Sequence, residues 1–141
     1  MRNKTVRDVM MPEPWTIDAK TSLQDTAHLL RAWDVRDALV TDDGEMCGVL
    51  TDQDIVLFAV ASGQDPSVLT AGECSYPVVY TASAGDSTET TVAFMRRHGL
   101  SRLPVVDGKQ LVGSVWIADL AIASQTPADA EADSADHLSY A

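Results

Sequence analysis

Ala38-Leu-Val-Thr-Asp-Asp-Gly-Glu-Met-Cys-Gly-Val-Leu-Thr-Asp-Gln-Asp-Ile55 returns 65 residues later as Leu103-Pro-Val-Val-Asp-Gly-Lys-Gln-Leu-Val-Gly-Ser-Val-Trp-Ile-Ala-Asp-Leu120. Each copy is an apolar run, an acidic turn, a second apolar run around a glycine, and an aspartate just past it. Moving outward, the same shift aligns Thr5 with Thr70, Pro12 with Pro77, Thr16 with Thr81 and Ala19 with Ala84. Ser22 then meets Ser87, Thr26 meets Thr91 and Arg31 meets Arg96. An ungapped match at one period over about 50 residues reads as an internal duplication. A unit of about 60 residues is marginal alone and gains stability by pairing with its copy.

The elements follow from local signals. Thr5-Val-Arg-Asp-Val-Met10 and Thr70-Ala-Gly-Glu-Cys74 read as short helical turns, capped by Thr with an acid three positions on. Short strands are expected around Trp15–Ile17 and Val78–Thr81. Ser22 and Ser87 are candidate caps for helices over 23–33 and 88–98, whose apolar faces carry Ala27, Leu29, Leu30 and Trp33, and Val92, Phe94 and Met95. Ala38–Thr41 and Leu103–Val106 read as buried strands, followed by turns at Asp42-Asp-Gly44 and Asp107-Gly-Lys109 and strands at Met46–Leu50 and Gln110–Val115. Closing helices begin near Asp52 and Ile117. The fold class is α+β, with β-α-β-β-α in each copy. Repeat 1 spans 1–62, a linker 63–69 and repeat 2 70–123; an acidic tail over 124–141 is expected to be disordered.

Composition limits the partners. The net charge is −11, and the tail contributes Asp129, Glu131, Asp133 and Asp136 with no Lys or Arg. Such a surface repels phosphate backbones and anionic headgroups, so neither nucleic acid nor membrane is expected. A small phosphate-bearing ligand remains compatible, because a local Arg outweighs a distant field. No window reaches 18 apolar residues and no secretory h-region opens the chain, so the cytoplasm is expected, with Cys47 and Cys74 reduced.

Ser101-Arg-Leu-Pro-Val-Val-Asp107, Leu111-Val-Gly113 and Ala118-Asp-Leu120, with Ala38-Leu-Val-Thr-Asp42, Gly48-Val-Leu-Thr-Asp-Gln-Asp-Ile55 and Thr5-Val-Arg-Asp-Val-Met10, resemble the CBS domain family over residues 5–123. The resemblance implies a tandem pair (a Bateman module) packed through its sheets about a pseudo-twofold axis. It implies a cleft between the repeats for AMP, ADP, ATP, S-adenosylmethionine or a related ligand. It also implies a non-catalytic sensor, a homodimer, and an unknown protein partner that reads the signal.

Thr51-Asp-Gln-Asp54 stands at an expected strand-to-helix junction. By resemblance, Thr51 takes a phosphate and Asp54 the ribose hydroxyls. The same Thr-x-x-Asp spacing is also a capping box that needs no ligand, and the two roles can coexist. Trp116 occupies the position of Thr51 in repeat 2. It reads as a plug for a dead site, a stacking surface for a base, or plain core, while Asp119 matches Asp54. Arg102 stands where family members often hold a phosphate, although a salt-bridge role fits it equally. Repeat 1 has Asp37 there, with Arg36 one residue earlier. By resemblance, Tyr80 is placed beside Asp54 and Trp15 beside Asp119, to stack on adenine or to serve as half-buried strand aromatics.

No catalytic motif is present, and Cys47, Cys74, His28, His98 and His137 lack metal-ligand spacing. Cys47, aligned with Val112 in an apolar strand, is expected to be buried. Cys74 is expected to be more exposed and is a candidate redox or metal switch. Three readings compete: an adenosine-ligand sensor, a ligand-free dimeric interaction or stress-response scaffold, and a thiol or metal sensor.

Overall fold

The structure is a computed structural model and describes residues 4–12 and 15–124; apart from Ser124, the expected acidic tail lies outside the described residues. The chain forms two compact units. The first is Pro14–Val78, and the second joins Met1–Glu13 to Val79–Ala141. These units cut across the sequence repeats, because the leading helix of each repeat packs in the unit built mainly from the other.

The first unit contains β1 (Thr16–Asp18), α2 (Leu23–Trp33), β2 (Asp37–Asp42), β3 (Glu45–Thr51), α3 (Asp52–Ile55), a π-helical continuation (Val56–Ala61) and α4 (Ala71–Cys74). The second contains α1 (Val6–Val9), β4 (Ala82–Ser83), α5 (Thr88–His98), β5 (Arg102–Asp107), β6 (Gln110–Trp116) and α6 (Ile117–Ala123). The fold is mixed α and β. In the first unit β1 runs parallel to β2, and β2 antiparallel to β3. In the second, β4 is parallel to β5 and β5 antiparallel to β6. Each β2–β3 or β5–β6 hairpin carries one register shift, at Val40/Thr41 and at Val105/Val106. Both residues of the Asp43-Gly44 turn have positive φ, as a two-residue hairpin loop demands.

The two long helices begin and end where local chemistry dictates. Ser22 accepts from the Asp25 amide at 3.1 Å, and Ser87 from the Thr90 amide at 3.1 Å. Asp34 and Gly99 end them in the left-handed conformation. The inner face of α2 is Leu23, Thr26 and Leu30, whereas Ala27, expected on that face, is exposed. Thr26 can be buried because its hydroxyl donates to the Ser22 carbonyl at 2.8 Å, and Thr91 does the same to Ser87 at 2.9 Å. A polar residue duplicated on an inner face is thereby satisfied within its own helix.

The leading helices dock by matching backbone bonds. Ala71 N donates to Thr21 O and Gly72 N to Ala19 O, each at 2.8 Å. Val6 N donates to Asp86 O at 2.8 Å and Arg7 N to Ala84 O at 2.9 Å. Just beyond, Tyr76 exchanges both backbone bonds with Val49, and Met11 with Ser114. These crossings require glycine. A Cβ at Gly113 would lie 2.6 Å from the Met11 carbonyl oxygen, and one at Gly48 would strike the Tyr76 carbonyl.

Separate cores result. One gathers Ile17, Leu23, Leu30, Val40, Leu50, Ala71 and Cys74. The other gathers Val6, Val92, Met95, Leu103, Val105, Ile117 and Leu120. Cys47 is exposed and Cys74 buried, the reverse of the sequence reading. On β3 it is Gly48 and Leu50 that turn inward, while α4 drives Cys74 into the core. The strand expected over Val78–Thr81 forms later, as β4, so Tyr80 precedes the strand instead of lying on it. Trp15 likewise sits just before β1.

Candidate functional site

The end of each hairpin places two residues opposite one another. In the first unit Asp37 faces Thr51, and in the second Arg102 faces Trp116. These are equivalent positions under the 65-residue shift, so the two junctions can be compared atom by atom.

At the first junction the strand turns directly into helix. Thr51 caps α3, its hydroxyl oxygen accepting from the Asp54 amide at 3.1 Å; the Asp54 carboxylate accepts from the Thr51 amide at 2.9 Å. The capping box is therefore real. It leaves the Thr51 hydroxyl hydrogen and one Asp54 oxygen for other partners, because a hydroxyl both accepts and donates and a carboxylate has two oxygens. Both residues are half-buried. Asp37 is buried at 6% exposure, whereas Arg36 is exposed and pairs with Asp52, Nε to Oδ2 at 3.3 Å. The Asp52 amide also donates to the Arg36 carbonyl at 2.9 Å. Arg36 is thus fastened to the junction that holds Thr51 and Asp54. Arg36 was visible in the sequence but its partner was not; an acid at the first helical position, Asp52, was the available signal.

The second junction differs. Trp116 caps α6 with no side-chain bond. The Arg102 guanidinium carbon lies 5.3 Å from the centre of the Trp116 ring, a cation–π distance. Arg102 is 1% exposed, Trp116 half-buried and Asp119 exposed on the first turn of α6. Arg102 is therefore a buried cation whose guanidinium lies over an aromatic ring.

Of the aromatics, Trp15 belongs to the unit of Thr51 and Asp54, and its carbonyl accepts from the Leu39 amide at 3.1 Å. Tyr80 belongs to the unit of Arg102 and Asp119. Its ring meets Phe94 edge-on at 5.4 Å and His98 at 4.6 Å. The expected pairings of Tyr80 with Asp54 and of Trp15 with Asp119 each take one residue from either unit.

The thiols are poor candidates for chemistry. Burial raises the Cys74 thiol above its ordinary value, helped by the carboxylates of Glu73 and Asp54. Partial burial and Asp42, Glu45 and Asp18 do the same to Cys47. A raised thiol is a weaker source of thiolate, the species that reacts or ligates. Among the described residues no group of three or more His, Cys, Asp or Glu side chains could hold a metal ion. No helix among them is long and apolar enough to cross a membrane.

Comparison with known proteins agrees with the duplicated architecture. The CBS domain model matches twice, over residues 6–61 and 72–123. Hypoxic response protein 1 of Mycobacterium tuberculosis is 34% identical over 118 residues, covering 83% of this chain and 82% of that protein. A crystal structure of Hypoxic Response Protein I with two coordinated zinc ions superposes with a TM-score of 0.68 at 32% identity, over 84% of this chain and 98% of that one. A crystal structure of CBSX2 in complex with AMP superposes with a TM-score of 0.64 at 24% identity, over 86% of this chain and 96% of that one, and shares the fold. With two matched copies that account for most of its length, this chain belongs to the CBS domain family as a tandem pair.

Proposed function

We propose that this chain is a regulatory sensor that binds an adenosine-type ligand at the Thr51–Asp54 junction. The observation that carries the reading is the set of unspent groups there. Thr51 has a hydroxyl hydrogen to give a phosphate and Asp54 has an oxygen to accept from ribose hydroxyls; Arg36 is exposed beside them, where a phosphate would have to share it with Asp52. Around it the chain carries −11, which suits a small anion held by local donors better than a polyanion. AMP is the first ligand to try, since a protein of the same fold was crystallised with it; ADP, ATP and S-adenosylmethionine share its adenosine. Binding acts as a signal when it favours one conformation over another, and a partner protein then reads the difference.

The second junction, with Arg102 and Asp119, lacks the hydroxyl, and Tyr80 and Trp15 are proposed as stacking partners for adenine. The described thiols and metal-ligating groups give a thiol or metal sensor no comparable support. A homodimer is proposed as the working form. Val56, Leu57 and Val60 are 51%, 50% and 75% exposed on one helical stretch without a charge, which offers two chains of net charge −11 an uncharged apolar surface to bury against each other. Light scattering checks this, and a monomer at micromolar concentration contradicts it.

Thermal unfolding with each ligand tests the sensor reading. At a hundredfold excess over Kd the ligand stabilises by about 2.7 kcal/mol, a shift of several degrees at this size. Asp54→Ala abolishes the shift. The absence of a shift with every adenosine ligand at millimolar concentration favours a ligand-free scaffold instead.

A further inference from the structure

We infer that the chain takes one adenosine-type ligand, not two, because Trp116 occupies with its own ring the place that Thr51 keeps open in the duplicated unit. The inference rests on the ligand reading above and divides its two junctions. The register of both hairpins is the same at this point, with Asp37 opposite Thr51 and Arg102 opposite Trp116. What differs is the pair of side chains.

At the first position the residue is small and offers a hydroxyl, and the buried residue across from it is an acid, so the cation serving the junction is exposed Arg36. At the second, the residue is an indole, which donates a single N–H and accepts nothing. The cation across from it is 1% exposed and lies 5.3 Å from the ring centre. A phosphate reaching Arg102 therefore competes with the indole for a guanidinium that is already buried. A desolvated cation–π contact weakens such a competitor roughly thirtyfold. Trp116 is thus the residue that sets stoichiometry, and the duplication has left one receptive junction and one closed by its own side chain.

Isothermal titration of the full chain with AMP tests this. The expected result is one equivalent per chain, lost in Asp54→Asn and unchanged in Asp119→Asn. Trp116→Thr, placed on the Asp54→Asn background, restores one equivalent. Trp116→Ser serves if the first substitution fails to fold by circular dichroism. Two equivalents in the unaltered chain, one of them lost in Asp119→Asn, overturn the inference and leave the ligand reading standing. One Asp54-dependent equivalent with no gain from either Trp116 variant overturns Trp116 as the block. If the unaltered chain binds no AMP, the reading at Thr51–Asp54 fails and the single equivalent fails with it. A gain in the Trp116 variants then still supports Trp116 as the block at the second junction, and no gain overturns that as well.

Discussion

Arg102 and Trp116 face each other across the last rung of the β5–β6 hairpin, and the guanidinium of one lies 5.3 Å from the ring centre of the other. The same rung of the β2–β3 hairpin holds Asp37 and Thr51. The duplicated backbone is thus preserved while the chemistry at this rung has diverged. A cation as buried as Arg102 is costly unless its surroundings compensate, and the indole is one visible source of compensation.

Replacing the indole should therefore cost stability. Trp116→Leu is expected to lower unfolding free energy by about 2 kcal/mol, and Trp116→Phe by less, since phenyl is a weaker partner for a cation than indole. Urea unfolding checks the order. Equal losses for the two variants would mean that packing, not the cation, sets the cost.

Gly48 and Gly113 allow two chain segments to cross at backbone distance, so Gly48→Ala and Gly113→Ala should each destabilise. The added methyl meets a carbonyl that is itself hydrogen-bonded in the crossing, and overpacking of this kind costs about 1–3 kcal/mol. The check is a lower urea midpoint at unchanged m-value. Gly85, whose Cβ would meet nothing within 4 Å, supplies the control: Gly85→Ala should change little.

Capping and ligand binding can be separated by comparing two caps. Ser22→Ala and Thr51→Ala should each cost about 1 kcal/mol. Only Thr51→Ala should also diminish the thermal shift produced by AMP, and Thr51→Ser should restore both. If Ser22→Ala reduces the AMP shift as much as Thr51→Ala does, the hydroxyl of Thr51 has no ligand role.

Stability should fall in alkaline solution through Cys74. The folded chain holds this thiol proton more tightly than the unfolded chain, because burial and the carboxylates of Glu73 and Asp54 raise it above the ordinary 9.0. That preference is intact below pH 9.0 and is lost as the pH rises through the folded value, so the unfolding free energy declines above pH 9.0. Urea midpoints measured from about pH 7 to pH 10.5 in the native chain and in Cys74→Ala check it. The variant should show the shallower decline, and parallel curves would contradict the assignment.

What could be read from the sequence was whatever short-range chemistry decides. The helices over 23–33 and 88–98 stand at the expected bounds, because Ser22, Ser87 and Gly99 act on their own neighbours. The hairpin turns at Asp43-Gly44 and Gly108 are equally local. The misreadings at Cys74 and Tyr80 came from contacts between distant segments. Cys74 is buried because α4 docks on Ala19 and Thr21, some 50 residues earlier in the chain, and no pattern near Cys74 reports that. Tyr80 lies outside β4 because the β4 edge of β5 registers with Ala82 and Ser83 and no earlier residue. At the candidate site the capping box of Thr51 and Asp54 was legible from spacing. The burial of Arg102 against Trp116 was not, since an Arg beside a strand looks the same in sequence whether it faces solvent or a ring.

An adenosine ligand held by Thr51 and Asp54 must perturb the backbone of its own junction. The most direct measurement is a titration of the isotopically labelled chain with AMP, followed through its backbone amide resonances. The amides of Thr51 through Asp54 should move together and saturate as a single site. Amides at those four positions that stay still at millimolar AMP, ATP and S-adenosylmethionine would contradict it.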